Sequence, residues 1–556
     1  MSAQDSFESD TAINDLAADF WTALMAADPT WAHLQGELDH VADFEHADRA
    51  SEDHDIATLR DFGRRVAEVA PESLTDDGRV TREVLLYEAT ARADMLEARF
   101  KEHAADPLFG AQESLPIVLG MLGVPNQDVA DAMLEKARGI GANFAELAER
   151  QREGVSSGRV SPEFAVKATI DQIDVTLAAA EHPWLNSVQL PADLDGSAWR
   201  ERFAAILRTD VNRGLATYRD ALRDVVAPVA LPDDKPGLCW IPDGEDSYNR
   251  ALRYFTTTTK SAQEIHEIGL VQVAALADEY RRMGPAVAGT NDLHGIFKAM
   301  RTDPALHFQR GEELVKQSEI AMARAWDAMP EWFETLPQAP CSVEGVTSGA
   351  KAYYYPPAPD GSRGGTFFIN VDDPQSWGTF EIESMAFHEG IPGHHLQLAI
   401  ASELPDTVPS IRKFSENAAY AEGWGLYTER LADEMGLYSS EVQRLGMLSA
   451  DSLRATRLVV DTGLHALGWS RQQAIDYMVA NSPMTEGICR PEVDRYIVSP
   501  GQACSYMIGR LEIQRMRREA EANANFTIKK FHSAVLDGGA LPLGVLDGVV
   551  RRRMSA

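Results

Sequence analysis

Cysteine is scarce: Cys239, Cys341, Cys489 and Cys504 are the four in a chain of 556 residues. No two of them form a CxxC pair, so neither a disulfide framework nor a cysteine zinc site is expected, and a reducing compartment fits. Basic side chains are also few. Against 85 Asp and Glu stand 52 Lys and Arg, and the formal net charge of −33 would repel a phosphate backbone or an anionic bilayer. Neither nucleic acid nor a membrane is therefore expected as a partner. Long apolar runs are missing too, since about 18 uninterrupted apolar residues occur nowhere. The opening MSAQDSFESD has neither the basic nor the apolar region of a secretory leader. A cytoplasmic protein is expected. Internal repeats and low-complexity tracts are absent as well, and 44% hydrophobic residues supply a large core.

What is present reads as helix. From Ile13 to about Leu222 amphipathic segments follow one another, among them Val80 to Arg99, Val129 to Arg150 and Trp199 to Leu222, with short breaks at Pro or Gly. This stretch carries no chemical motif. His33, His40, His46, His54 and His103 have no partner at ligand spacing and are assigned to surface or packing. A Pro-rich connection, Ala227 to Pro242, leads to a helix opened by the capping box Ser261-Ala-Gln-Glu264. His266-Glu267 within that helix resembles half a metal signature, but position 270 is Leu. Between Cys341 and Asn370 the texture changes to β-branched and aromatic residues flanked by Pro and Gly, which predicts a small sheet.

The chemistry is concentrated after that sheet, in Glu383-Ser-Met-Ala-Phe-His388-Glu389-Gly-Ile-Pro392-Gly393-His394-His395-Leu-Gln397. In an HExxH helix, His at i and i+4 bind Zn²⁺ from one face while the adjacent Glu activates the attacking water. Here i+4 is Pro392, which cannot ligate. A straight helix would hold His388 about 9–10 Å along its axis from His394 or His395, too far for one ion. A bulge at Pro392-Gly393 must therefore absorb two or three residues. Absorbing two makes His394 the second ligand, which aligns Gly393-His394-His395-Leu396 with a GHxL ending; absorbing three makes it His395. His394 is the preferred ligand, and the other His is left to support the ligands from behind or to contact substrate.

A third ligand is sought in Ala421-Glu422-Gly423-Trp424-Gly-Leu-Tyr427-Thr-Glu429. Glu422 and Glu429 share a face with Leu426, so Glu422 can bind metal while Glu429 orients a ligand. Tyr420, Trp424 and Tyr427 argue for burial, and Ala421 and Gly423 permit close helix approach. Further on, Ser499-Pro500-Gly501-Gln502 reads as a capping box opening a helix, with Gln502, Tyr506, Gly509 and Arg510 on one face. Tyr506, or Tyr496 in second place, is the candidate donor to a developing oxyanion. Arg495 and Arg510 are the candidates to fork a substrate carboxylate.

With these residues in hand, the stretch from about Arg253 to Arg518 resembles the bacterial domain-of-unknown-function 885 family, whose HExxPGHH signature is matched by His388, Glu389, Pro392, Gly393, His394 and His395. Glu422-Gly-Trp-Gly-Leu-Tyr427, Arg495-Tyr496, Pro500-Gly501-Gln502 and Tyr506 match as well. The resemblance implies a gluzincin-like zinc metallopeptidase: a mainly α, two-lobed body with a deep channel and a small β-sheet beside the metal. It also implies an edge strand at Gly364-Gly365-Thr366-Phe367 that pairs with extended substrate, making Gly365 and Thr366 substrate contacts. The expected organisation is a helical N-terminal lobe over 1–226 and a catalytic lobe over 227–556, with the sheet at 341–370 and the metal site at 388–422, forming one continuous unit. The expected activity is hydrolysis of short peptides or small amides by one Zn²⁺ ion, held by His388, Glu422 and His394 or His395, with Glu389 as base. Mn²⁺, Fe²⁺ or Co²⁺ suit the same donors. A dedicated small-molecule amidohydrolase is the alternative. An inactive binding protein would have lost the base or a ligand, and here His388-Glu389 and Glu422 are all present.

Overall fold

Among the described residues helices predominate and one three-stranded sheet interrupts them, as the periodicity and the composition of 341–370 predict. The computed structural model describes residues 3–555 except 359, 360 and 362. Contacts divide it into two compact units. The first comprises Met1–Ser73, Leu85–Arg250 and Leu464–Gln472; the second comprises Leu74–Val84, Ala251–Gly463 and Gln473–Ala556.

The first unit is built around the helix Gln127–Ser157. Asn126 caps its start by accepting from the Val129 N–H, and Gly158 ends it at φ 77°, a left-handed conformation that an L side chain rarely adopts. Its apolar face buries Ala130, Leu134, Ile140 and Phe144 against Trp184, Trp199 and Tyr218. Arg150 on the same helix is buried, yet it pairs with Glu52 at 2.7 Å and Glu153 at 3.1 Å, which compensates the loss of hydration.

The second unit contains every residue singled out for chemistry. Its first long helix, Ala262–Val287, opens with the capping box expected from Ser261 and Glu264. His266 on that helix is buried, with Nδ1 2.8 Å from the Thr462 hydroxyl, so it serves packing. The sheet consists of β1 (Cys341–Val346), β2 (Ala352–Tyr355) and β3 (Gly365–Asn370), in the order β1-β3-β2. β3 runs parallel to β1 and antiparallel to β2. This overturns the expected edge strand at Gly364–Phe367. Thr366 to Ile369 are paired on both sides, so no free row of backbone groups remains there for a substrate strand.

A short helix, Glu381–Met385, follows the sheet and widens into a π turn over Ala386–Gly390; after Ile391 to Gly393 the chain resumes as the helix His394–Ser402. The next long helix is Ala418–Glu434, which carries Glu422. It crosses the helix Ser505–Ala520, which carries Tyr506, at two glycines: a Cβ on Gly423 would lie 2.5 Å from the Gly509 backbone. A Cβ on Gly509 would lie 2.0 Å from the Ala419 carbonyl oxygen. The helix expected to start at Ser499-Pro500 starts later. Ser499 instead ends the helix Glu486–Val498, Gly501 takes φ 84° with its N–H on the Asp461 carboxylate, and a 3-10 turn over Gln502–Cys504 leads into Ser505. The Ser-Pro-Gly-Gln pattern forms no capping box: Gln502 accepts from Arg495, and a buried acid 40 residues away captures the Gly501 amide.

The glycine crossing generates a stability prediction. Gly509→Ala has no side chain to displace, only backbone, and should cost about 1–3 kcal/mol or more in denaturant unfolding. A variant as stable as the parent chain would refute the close approach.

Candidate metal centre

The break in the HE helix determines the site. A Cβ at Gly393 would lie 1.8 Å from the His388 carbonyl oxygen, so only glycine lets the chain turn back this tightly. Two carbonyls at the break find donors on the Glu422 helix: Thr428 Oγ1 donates to Phe387 O at 3.0 Å, and Trp424 Nε1 donates to Pro392 O at 3.0 Å. The turn brings the His388 and His394 rings to 4.8 Å between centroids, nearly perpendicular to one another. Glu422 Oε2 stands 3.4 Å from His388 Nε2 and 3.5 Å from His394 Nε2. One donor atom from each of the three residues lies within 4.8 Å of the other two. Gly425 makes room for this, because a Cβ there would lie 2.8 Å from the His388 ring.

The His388 ring is held by buried polar partners. Glu429, buried at 1% exposure, accepts from His388 Nδ1–H at 2.8 Å and takes the Ser384 hydroxyl at 2.6 Å. His388 therefore turns Nε2 toward Glu422, as a carboxylate-oriented metal ligand does. Burial opposes a charged His388, but hydrogen bonds to Glu422 and Glu429 and the charge of Glu389 outweigh it and push its pKa up to about 9. For Glu422 burial opposes ionisation, and hydrogen bonds from His388 and His394 outweigh it, holding the carboxyl well below its usual range. Two imidazole nitrogens and a carboxylate oxygen facing one another are a donor set that suits a divalent cation. His394 Nδ1 is buried without a hydrogen-bond partner among the described residues.

His395 is placed elsewhere. Its Nε2–H donates to Ala339 O at 3.0 Å, and Nδ1 accepts from the Tyr354 phenol at 2.8 Å. Burial lowers its pKa, consistent with a neutral ring locked in that tautomer. Gly365 leaves the room in which Tyr354 and His395 meet, since a Cβ there would lie 2.2 Å from the phenol oxygen. Thr366 is buried, with Oγ1 accepting from Ser342 Oγ at 3.4 Å.

Glu389 is half-buried beside His388, and its carboxylate makes no hydrogen bond or ion pair among the described residues. Tyr506 is half-buried too, with its phenol oxygen unpartnered among the described residues; burial, then the nearby Glu422 charge, raises its pKa, so the phenol stays protonated. The other three candidates are engaged internally. Tyr496 is fully buried, donating to Glu492 at 2.5 Å and accepting from Arg457 Nε at 2.9 Å. Arg495 reaches Gln502 at 2.6 Å and Glu492 at 3.1 Å. Arg510 pairs with buried Asp451 and donates to Gln272 at 3.3 Å. Neither guanidinium is free to fork a substrate carboxylate.

Sequence reasoning missed Tyr354, Trp424 Nε1 and Thr428 as supports, and also Arg454 and Arg457, which approach Tyr506. Only the i, i+3 spacing of the two arginines was visible beforehand. A second grouping, His46 with Asp48 and Glu146, lies in the first unit. Its members have local duties: Asp48 caps the helix Arg49–Glu68, and Glu146 accepts from the Ala47 N–H. An open cleft of about 460 Å³ in the second unit, lined by Lys260, Glu264, Val271, Ile508 and Glu512 among others, includes none of the metal triad.

The family described as "Bacterial protein of unknown function (DUF885)" matches residues 29–550. Among solved structures, a candidate lipoprotein from Colwellia psychrerythraea superposes with a TM-score of 0.88 at 24% identity, over 98% of this chain and 99% of that one. A candidate lipoprotein of unknown function from Shewanella oneidensis gives a TM-score of 0.76 at 17% identity, over 96% and 99%. At these identities the likeness is one of fold. Among curated proteins there is no match.

The Glu429 contact makes the site testable by metal titration. Glu429→Gln keeps the shape but weakens the hold on His388 Nδ1–H, and zinc should bind about 10–100-fold more weakly by calorimetry. Unchanged affinity would show that Glu429 does not act on His388.

Proposed function

The chain belongs to the DUF885 family of bacterial proteins, and from that premise we propose that it is a zinc-dependent hydrolase of amide bonds in short peptides. The observation that carries this reading is the convergence of His388, His394 and Glu422 beside the unpaired carboxylate of Glu389. Two imidazoles and one carboxylate are three ligands, the number that leaves a catalytic zinc site its open position. The donor set fits the ion: His388 offers Nε2 because Glu429 holds Nδ1, and Glu422 faces both rings. Mn²⁺, Fe²⁺ or Co²⁺ would use the same atoms. When bound, the ion supplies Lewis acidity, which lowers the pKa of water and polarises a carbonyl.

The remaining steps fall to the chain's own residues. Glu389 takes the proton from the attacking water and later returns it to the leaving amine, a role for which its carboxylate needs to be close and unpaired. Tyr506, with a free phenol held protonated, donates a hydrogen bond to the carbonyl oxygen as negative charge develops. Glu429, Thr428 and Trp424 keep the ligand helix in place. The substrate channel and the gluzincin-like character expected from the family signature are part of this proposal.

Location belongs to the same reading. Among the described residues no helix is long and apolar enough to cross a membrane, and all four cysteines are free. A cytoplasmic protein accords with the thiols; the lipoprotein description of the two structural relatives, carried over, would place the chain outside the cytoplasm. Cell fractionation separates the two.

The deciding experiment joins elemental analysis to cleavage of a short-peptide library. The purified protein should contain about one zinc per chain and release fragments. Glu389→Gln should retain the metal and lose about 10²–10⁴-fold in turnover. A fully active Glu389→Gln protein would overturn the assignment of the base, and a metal-free, inactive parent would overturn the reading itself.

A further inference from the structure

Among the described residues, the arginines buried in the second unit are compensated, with one exception. Arg412 pairs with Asp77 at 2.9 Å, Arg457 with Glu492 at 2.8 Å, and Arg510 with Asp451. Arg454, only 8% exposed, forms no ion pair and no hydrogen bond among the described residues, and its Nε is buried without an acceptor. Removing a guanidinium from water without a partner costs several kcal/mol, so such a group is retained where something else meets it.

The surroundings show what it would meet. Arg454 and Arg457 lie three residues apart on the helix Glu441–His465, and both approach the ring of Tyr506, with Cζ 5.7 Å and 4.4 Å from its centroid. Arg457 uses Nε on Tyr496 and Nη2 on Glu492, while Nη1 stays buried and unpartnered. The Tyr506 phenol lies within the electrostatic reach of Glu422, which raises its pKa, and of Arg457, Arg495 and Arg454, which lower it. Tyr506 therefore links the metal triad to a pair of guanidinium groups with unused donors. In a chain of formal net charge −33, a buried Arg454 with no acid of its own, beside an Arg457 and an Arg495 that share the single carboxylate of Glu492, stands out.

We propose that Arg454, backed by Nη1 of Arg457, receives a carboxylate of the substrate next to the bond being cut. The planar fork of a guanidinium matches the two oxygens of a carboxylate, and burial strengthens the pair. The carboxylate is either the α-carboxylate of a C-terminal residue or the side chain of Asp or Glu. The role in turnover rests on the hydrolase reading above; the binding does not.

The test measures binding and cleavage separately, with full-length protein as purified. Calorimetry on the Glu389→Gln protein compares tri-alanine, tri-alanine amide and N-acetyl-Ala-Glu-Ala amide. One of the two carboxylate-bearing peptides should bind at least about tenfold more tightly than tri-alanine amide, as a charge-assisted fork would give. Preference for tri-alanine assigns the α-carboxylate, and preference for the Glu peptide assigns the side chain. The preference should vanish in a further Arg454→Met variant and shrink in Arg454→Lys, which keeps the charge but not the fork. Because Arg454 has no acid to orphan, Arg454→Met should melt no lower than its parent. Equal binding or no binding of all three peptides, a preference that survives Arg454→Met, or a variant that melts lower or fails to fold would each overturn the proposal. Peptide cleavage without carboxylate preference would leave the hydrolase standing and remove this inference. Carboxylate preference without cleavage would do the reverse.

Discussion

Two imidazoles six positions apart cannot meet on a straight helix, and everything around the site answers that constraint. The chain has to leave helical geometry between Gly390 and His394, and leaving it strands carbonyl groups in a buried place. The helix Ala418–Glu434 resolves both problems at once. Thr428 and Trp424 donate to the carbonyls at the break, Gly425 vacates the volume that the His388 ring occupies, and Glu422 and Glu429 engage the two nitrogens of that ring. Because Glu422, Gly425 and Glu429 recur along one helix face and Trp424 and Thr428 along the adjoining one, a single rigid element both repairs the break and completes the donor set. That element is held in turn by its glycine crossing with the helix Ser505–Ala520, which brings Tyr506 into the electrostatic field of Glu422.

The histidines of this unit show how strongly partners decide the state of one side-chain type. His388 is confronted by carboxylates and is pushed up to about 9 despite full burial. His395 and His532 are confronted by a backbone carbonyl at one nitrogen and a tyrosine phenol at the other. Burial then prevails, and His532 falls to about 3. A ring with a carbonyl on one side and a hydroxyl on the other is satisfied as a neutral molecule. A ring between two carboxylates is satisfied only by a cation, whether a proton or a metal ion.

Charge follows the same logic over a longer range. Asp451 is fully buried and is shared by Arg430 and Arg510, and Glu492 serves Arg457, Arg495 and Tyr496. These networks absorb the arginines that the motif spacing had marked for substrate. They leave Arg454, which no motif marked.

Periodicity, turn residues and composition act over a few residues, and what depends on that range was legible in the chain. The helical class, the capping box at Ser261, the small sheet between Cys341 and Asn370 and the concentration of His and Glu around 388–395 belong there. So does the need for a fold in the chain at Gly393, because it follows from the rise of a helix. Tertiary structure decided which histidine turned inward, that β3 lies in the middle of its sheet, that the helix carrying Tyr506 begins at Ser505, and which arginines found acids. Most of those outcomes rest on partners outside the local turn, such as Tyr354 for His395, Asp461 for Gly501 or Asp451 for Arg510, and local spacing carries no information about which distant group wins the competition for a hydrogen bond.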